Sequence, residues 1–206
     1  GTVDTGLFED CNFKKVILGE NVKSIPNGTF HNCKYLEEII LPDGLESVCP
    51  CAFYGCTALR KIDIPSTVST IGYSAFDSSG LESIVVPEGI TILHPYAFSG
   101  CKSLTSVSLP ESLIEIGRNV FEECNALREM RIPKNVTKIG QSIVYECNSG
   151  MSMYFEGTEP PVLEGNLGIY PADVWKVYVP TASLEKYQSA WYKYSSLVSR
   201  ISPYDL

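Results

Sequence analysis

The chain has very few of the side chains on which enzyme active sites depend. Its 206 residues include only two histidines, His31 and His94. Neither histidine lies in a metal-binding or nucleophile motif, and no glycine-rich phosphate loop is present. The sequence therefore predicts no catalytic residues, no metal site and no cofactor, and we expect that the protein is not an enzyme.

Positive charge and long apolar runs are also scarce. Lys and Arg number 16 against 24 Asp and Glu, which gives a formal net charge of −8 at pH 7. Such an excess of acid disfavours binding to nucleic-acid phosphates or anionic lipids. No apolar run approaches the roughly 18 residues that a membrane-spanning helix needs. We expect neither a nucleic-acid partner nor a membrane-spanning segment in this chain.

Cysteine is present but too sparse for a fold built on disulfides. Eight residues of 206 are Cys, well below the roughly 8–10% of disulfide scaffolds. Hydrophobic residues make up 44% of the chain and charged residues 19%. This composition is that of a chain that buries a core of its own rather than a disordered one.

A period of 23 residues organises most of the chain. Its first half is a Leu-x-x-Ile-x-Ile-Pro segment, and successive copies start 23 residues apart, with one step of 22. The copies begin at Leu36, Leu59, Leu81, Leu104 and Leu127, after an earlier copy at Phe13 that lacks the proline. Because apolar residues alternate along the segment, it predicts a strand with one buried face, which the proline ends.

The second half of the repeat has the form Val-x-x-Ile-Gly followed by Ala-Phe-x-x-Cys. The first piece predicts another short strand, and the second predicts a helical or 3₁₀ turn that inserts its aromatic side chain inward. One coil of this kind cannot bury its own apolar side chains, whereas stacked coils form a continuous core. The period therefore predicts a solenoid of stacked coils with a parallel β-sheet.

Six cysteines share one position of the repeat. They are Cys11, Cys33, Cys56, Cys101, Cys124 and Cys147. Stacking predicts a buried column of parallel thiols, which suits core packing and cannot supply the tetrahedral geometry of zinc. Cys49 and Cys51 lie outside this position. They lack the second pair of a zinc motif, and the sequence leaves their redox state open.

The full pattern resembles the BspA-type leucine-rich repeats of bacterial surface proteins. The resemblance covers about residues 7–155 and departs from the pattern at Gly19, Cys49, Ser79 and His94. It implies a right-handed leucine-rich-repeat solenoid of the α/β horseshoe class, rich in β-structure. It also implies a surface or secreted protein that binds other proteins or host matrix and has no shared catalytic residues.

The last quarter of the chain differs from the repeats. We assign residues 1–156 to about six full repeats with partial ends, and residues 157–206 to the end of the same solenoid. The latter range is predicted to hold a loop without repeat up to Asp173, a strand from Val174 to Pro180 and a capping helix from Ser183 to about Tyr194. Ser183 is the expected N-cap, and residues 197–201 are expected to be extended.

The outward positions of the main strands are the best candidates for function. Arg131, Tyr154 and Tyr178 follow one another in a single outward column, and they have the Arg-and-aromatic composition that binding hot spots favour. Ordinary exposed aromatic residues on strands are the alternative interpretation.

We therefore expect a non-catalytic adhesion module that recognises an extracellular protein or a glycan. The alternative is a structural spacer of a larger envelope protein, without a specific ligand. We expect the protein at the cell surface or outside the cell, with a signal or anchoring segment that lies outside this sequence.

Overall fold

The computed structural model describes residues 6–148, 150–169 and 175–205. The chain winds through stacked coils, and most repeats contribute one strand to a main sheet and one shorter strand to a second sheet. Strands are numbered in chain order. The main sheet contains β1 (Lys15–Ile17), β3 (Glu38–Ile40), β6 (Ser83–Val85), β8 (Ser106–Ser108), β10 (Glu129–Ile132), β12 (Ser152–Phe155), β14 (Lys176–Pro180) and β15 (Ile201–Tyr204).

The second sheet follows the Val-x-x-Ile-Gly pieces of the repeat. It contains β2 (Ser24–Ile25), β4 (Ser47–Val48), β5 (Thr70–Ile71), β7 (Ile92–Leu93), β9 (Glu115–Ile116), β11 (Lys138–Ile139) and β13 (Val162–Leu163). These strands pair in parallel in two groups, β2 with β4 and β5, and β7 with β9, β11 and β13; Ser24 for example lies opposite Ser47 of the next coil. The prediction of a parallel solenoid with two short strands in a repeat is confirmed.

The main sheet is not continuous along the solenoid. Its hydrogen-bonded parts in the described chain are β1 with β3, β6 with β8, and β10 with β12, β14 and β15. The coil between β3 and β6 contributes no strand, although Ile62 still points into the core and is buried. This coil contains the single 22-residue step of the repeat.

The Ala-Phe-x-x-Cys pieces stack their aromatic rings along the solenoid axis. Phe76 is fully buried, and its ring centroid lies 5.2 Å from that of Phe53 and 5.5 Å from that of Phe98. From Phe53 to Phe121 adjacent rings are parallel to within 6°, because successive coils present the same residue at the same place. The predicted inward position of the aromatic residue is confirmed.

The sequence predicts a helical or 3₁₀ turn around each aromatic residue, but the described residues form no helix there. Alternate N–H groups close turns within the coil, as from Asp77 to the Ser74 carbonyl, while those between them donate to the next coil, as from Phe76 to the Ala97 carbonyl. Ser74 and Ser78 have positive φ angles of 48° and 57°. Every second N–H in this segment therefore donates to the next coil, whereas in a 3₁₀ helix each N–H donates to the carbonyl three residues before it.

The repeat continues further toward the C-terminus than the sequence pattern suggests. β13 lies within the segment predicted to be a loop without repeat, and it pairs with β11 so that Leu163 lies opposite Ile139. The N–H of Val144 donates to the Leu167 carbonyl at 3.1 Å. The prediction of a plain loop was therefore wrong for this part. Residues 170–173 of that loop and Val174 of the predicted strand lie outside the described residues.

The C-terminal cap consists of short helices rather than one. A 3₁₀ turn (Thr181–Ser183) leads into α1 (Leu184–Ala190), and α2 (Ser195–Val198) follows after a turn. The predicted helix to Tyr194 therefore ends early, and the buried Ser183 side chain makes no capping hydrogen bond. The final strand starts at Ile201, so the predicted extended piece over 197–201 was misplaced. None of the helices in the described residues has the length and apolar character that crossing a membrane requires.

Candidate binding site

Strand register brings the three predicted site residues together. Arg131 of β10 lies opposite Tyr154 of β12, and Tyr154 lies opposite Tyr178 of β14. The tyrosine rings stack with centroids 4.6 Å apart and an angle of 11° between their planes. The guanidinium carbon of Arg131 lies 4.5 Å from the centroid of Tyr154. These distances match the spacing of paired strands, so the register alone sets up a cation–π contact and a ring stack.

A fourth residue, Tyr204 of β15, completes the group. Its ring meets those of Tyr154 and Tyr178 edge-on, at centroid distances of 5.4 Å and 6.4 Å. Its hydroxyl donates to the Phe155 carbonyl at 3.2 Å. Burial and the nearby Glu156 carboxylate raise the pKa of the Tyr204 phenol. We call Arg131 and these three tyrosines the tyrosine cluster.

The sequence had offered a signal for Tyr204 that the prediction missed. Ser202 lies opposite Tyr178 in the register of β15, and Tyr204 lies two residues further on the same face of the strand. Extending the predicted final strand past Ile201 would have placed this tyrosine beside the cluster.

Two carboxylates surround the guanidinium of Arg131. Its Nε lies 3.1 Å from Glu129, and its Nη1 lies 3.8 Å from Glu156. The Arg131 side chain remains 54% exposed, so each exposed pair contributes only modestly to stability. One positive charge between two negative charges leaves this part of the surface without a net attraction for anions.

Beside the cluster lies a shallow depression in the main sheet. It occurs where β8 and β10 fail to pair, at the second interruption of the sheet. The depression has a volume of about 410 Å³ and includes Ser106, Ser108, Glu129, Arg131 and Glu156 in its lining. Arg131 and Glu156 thus belong to the surroundings of both the depression and the tyrosine cluster.

The cysteines outside the column show no sign of activation. Cys49 lies 3.3 Å from the Ser24 hydroxyl. Burial, assisted by the negative charge of Asp77, raises the pKa of Cys51 and so disfavours its reactive thiolate. In the described residues, no group of three or more His, Cys, Asp or Glu side chains is arranged to hold a metal ion.

The two histidines lie away from the cluster. His31 stacks on Tyr54 with ring centroids 4.8 Å apart, and its Nδ1 lies 3.1 Å from Glu9. His94 directly precedes Pro95 in the turn after β7.

Comparison with solved structures supports the fold. A leucine-rich repeat protein from Bacteroides ovatus is 26% identical over 80% of this chain and 55% of its own, with a TM-score of 0.55. One from Eubacterium ventriosum is 25% identical over 66% of this chain and 44% of its own, with a TM-score of 0.51. The chain thus spans about half the length of these relatives. A search of curated proteins found no match.

The repeat itself decides the family. Residues 1–99 and 23–151 match the family model of the BspA type leucine rich repeat region, in 6 copies. These matches cover well over half of the chain and coincide with the stacked coils of the structure. The chain belongs to the BspA-type leucine-rich-repeat family.

Proposed function

We propose that the chain is a non-catalytic binding module, displayed at the cell surface or secreted, that recognises a protein or glycan through the exposed face of its main sheet. The assembled tyrosine cluster is the observation that carries this proposal. Arg131 is exposed and the three tyrosines are half-buried at the surface, and Arg with Tyr is the composition that binding hot spots favour. Membership of a family of bacterial surface proteins supports the location.

A structural spacer is the second candidate, and one feature of the cluster favours it. Tyr154 already has Arg131 on one side and Tyr178 on the other, so much of its ring surface is used within the protein. A cluster that only stabilises the end of the sheet would show the same contacts.

The two candidates differ in what they predict for a binding experiment. The purified chain is applied to an array of extracellular matrix proteins and glycans, beside a variant that carries Arg131→Ala, Tyr154→Ala and Tyr178→Ala. A matched control carries Ile17→Ala and Ile40→Ala, because these exposed residues occupy the same outward column at the N-terminal end of the sheet.

A binding module at the cluster gives a saturable signal that the triple variant loses and the control keeps, with both variants folded by circular dichroism. A signal that survives in the triple variant would move the site elsewhere on the solenoid. The spacer predicts no saturable signal for any of the three proteins.

A further inference from the structure

We infer that the group recognised at this surface is a neutral oligosaccharide, bound across the depression between β8 and β10 and over the tyrosine cluster. This inference rests on the proposed function and names the class of ligand for the same site. It follows from the lining of the depression, from the balance of charge around Arg131 and from the open side of Tyr178.

The lining of the depression is rich in small hydroxyl-bearing side chains. Thr105, Ser106 and Ser108 contribute hydroxyl groups, and Glu129 contributes a carboxylate. Hydroxyls donate and accept hydrogen bonds while a carboxylate accepts them, so this set is complementary to the hydroxyl groups of a sugar ring. The preceding strand differs, since Val85 lies opposite Ser108 and is highly exposed. The outward column thus changes from apolar to hydroxyl-bearing at the depression.

The charges around the depression favour an uncharged ligand. Glu129 and Glu156 flank the single guanidinium of Arg131, and the whole chain carries a net charge of −8. A sulfated or uronic sugar would bring further negative charge to this surface without an unpaired cation there to receive it. A neutral sugar can instead accept hydrogen bonds from Arg131 and donate them to the carboxylates.

The tyrosine cluster offers an aromatic face on its outer side. Tyr178 stacks on Tyr154 on the side of β12. On the side of β15 its neighbour in register is the small, exposed Ser202, while the Tyr204 ring meets it edge-on at 6.4 Å and leaves it half-buried. The apolar face of a sugar ring can pack on an aromatic ring whose other side is already supported. From β8 to β14 the sheet spans about 14 Å at the usual strand spacing, a distance that a short oligosaccharide can bridge.

The same depression is poorly suited to anchor a protein partner. Protein interfaces concentrate their binding energy in apolar or aromatic anchors that enter well-packed pockets. This depression is open, its lining mixes serine, threonine and glutamate side chains with Val107, Leu109 and Pro133, and no aromatic side chain among the described residues lines it. A protein partner is therefore an outcome that the experiment must be able to detect, rather than the occupant we infer.

The experiment measures binding of neutral oligosaccharides from β-glucan, mannan and galactan, beside a sulfated and a uronic oligosaccharide, to the whole chain by titration calorimetry. The test variants are Ser108→Val and Glu129→Gln. Ser108→Val places at this position the residue that β6 already has in register, so the fold should accept it. The control variants are Ile40→Ser and Glu38→Gln, which make comparable changes on β3, away from the depression.

We expect saturable binding of at least one neutral oligosaccharide, weakened about tenfold by each test variant, because Ser108→Val removes a hydroxyl partner and Glu129→Gln replaces a charged acceptor with a weaker neutral one. The control variants and added salt should leave the affinity unchanged. Neutral-sugar binding that neither test variant weakens would overturn the location. Selective binding of sulfated or uronic sugars, with a steep dependence on salt, would overturn the ligand class.

The outcome also separates this inference from the proposed function. Suppose that a matrix protein binds the chain, that the triple Ala variant loses this binding, and that no neutral sugar binds. This result would overturn the oligosaccharide as the ligand and leave the binding module in place. Absence of binding to proteins and sugars alike would overturn both.

Discussion

The thiol of Cys101 donates a hydrogen bond to the carbonyl oxygen of Phe76 in the preceding coil, at 3.2 Å. The same bond joins Cys56 to Phe30 at 3.1 Å and Cys124 to Phe98 at 3.3 Å. The cysteine column therefore ties each coil to the one before it, beside the column of stacked phenylalanines. This explains why small polar Cys, rather than Ala or Val, suits the position.

Stability should fall at alkaline pH because of these thiols. Burial raises the pKa of Cys101 from its ordinary value of 9.0 to about 12. Between these values the unfolded chain releases the thiol proton and the folded chain keeps it, so the free energy of unfolding decreases as pH rises from about 9 to about 12. Denaturant unfolding over this range checks the prediction. Cys101→Ser should reduce the slope, because serine does not titrate there, and an unchanged slope would contradict it.

The phenylalanine column should dominate the stability of the central coils. Phe76→Ala removes a fully buried ring that stacks on Phe53 and Phe98, and we expect a loss of about 3–5 kcal/mol in the free energy of unfolding. Tyr73→Ala is the control, since Tyr73 lies three residues away and is 45% exposed. Equal and small losses for both variants would show that the aromatic column does not support the core.

The repeat predicts the core and much of the candidate site for one physical reason. Coils of constant length place equivalent residues in register, so the positions of Phe76 and Cys101 and the contact of Tyr154 with Tyr178 all follow from spacing. Where the repeat length changes or other residue types replace those of the repeat, the sequence no longer predicts the strands. β13 follows Pro160-Pro161, and these two prolines hide the strand pattern.

The end of the capping helix could not be predicted from local spacing. Trp191 Nε1 donates to the Pro161 carbonyl at 3.0 Å, and the Tyr194 hydroxyl donates to the Leu163 carbonyl at 3.1 Å. These bonds connect residues about thirty positions apart, and α1 stops at Ala190 just before them. Contacts distant in sequence therefore fix where these aromatic residues lie, and periodicity does not contain that information.

The cap should depend on a hydroxyl that is buried beneath it. The Tyr187 hydroxyl donates to the Gly157 carbonyl at 2.8 Å, and the side chain is fully buried. Tyr187→Phe keeps the ring but leaves this carbonyl without its donor, so we expect a loss of about 1–2 kcal/mol. Tyr192→Phe makes the same chemical change at a residue that is 77% exposed, and should have little effect. Thermal or urea unfolding of the two variants compares them directly.

The last described turn of the solenoid ends a hydrogen-bond ladder that runs in one direction. In the earlier turns, alternate N–H groups donate toward the C-terminal neighbour, as from Ser142 to the Asn166 carbonyl at 2.6 Å. In this last turn the side chain of Asn166 accepts instead, from the N–H groups of Gly168 at 3.0 Å and Ile169 at 3.3 Å. A single side-chain oxygen thus replaces the carbonyl groups of a further coil.

Asn166→Ala should therefore lower the free energy of unfolding more than the loss of one small polar side chain at the surface usually does. Two N–H groups of buried residues lose their acceptor, and we expect a cost of about 1–3 kcal/mol. Asn166→Asp keeps an acceptor oxygen and should retain most of the stability. Asn148→Ala is the control, because Asn148 accepts from the N–H of the exposed Gly150 at 2.9 Å, where water can replace it. Equal losses for the two Ala variants in urea unfolding would show that Asn166 has no special role in ending the ladder.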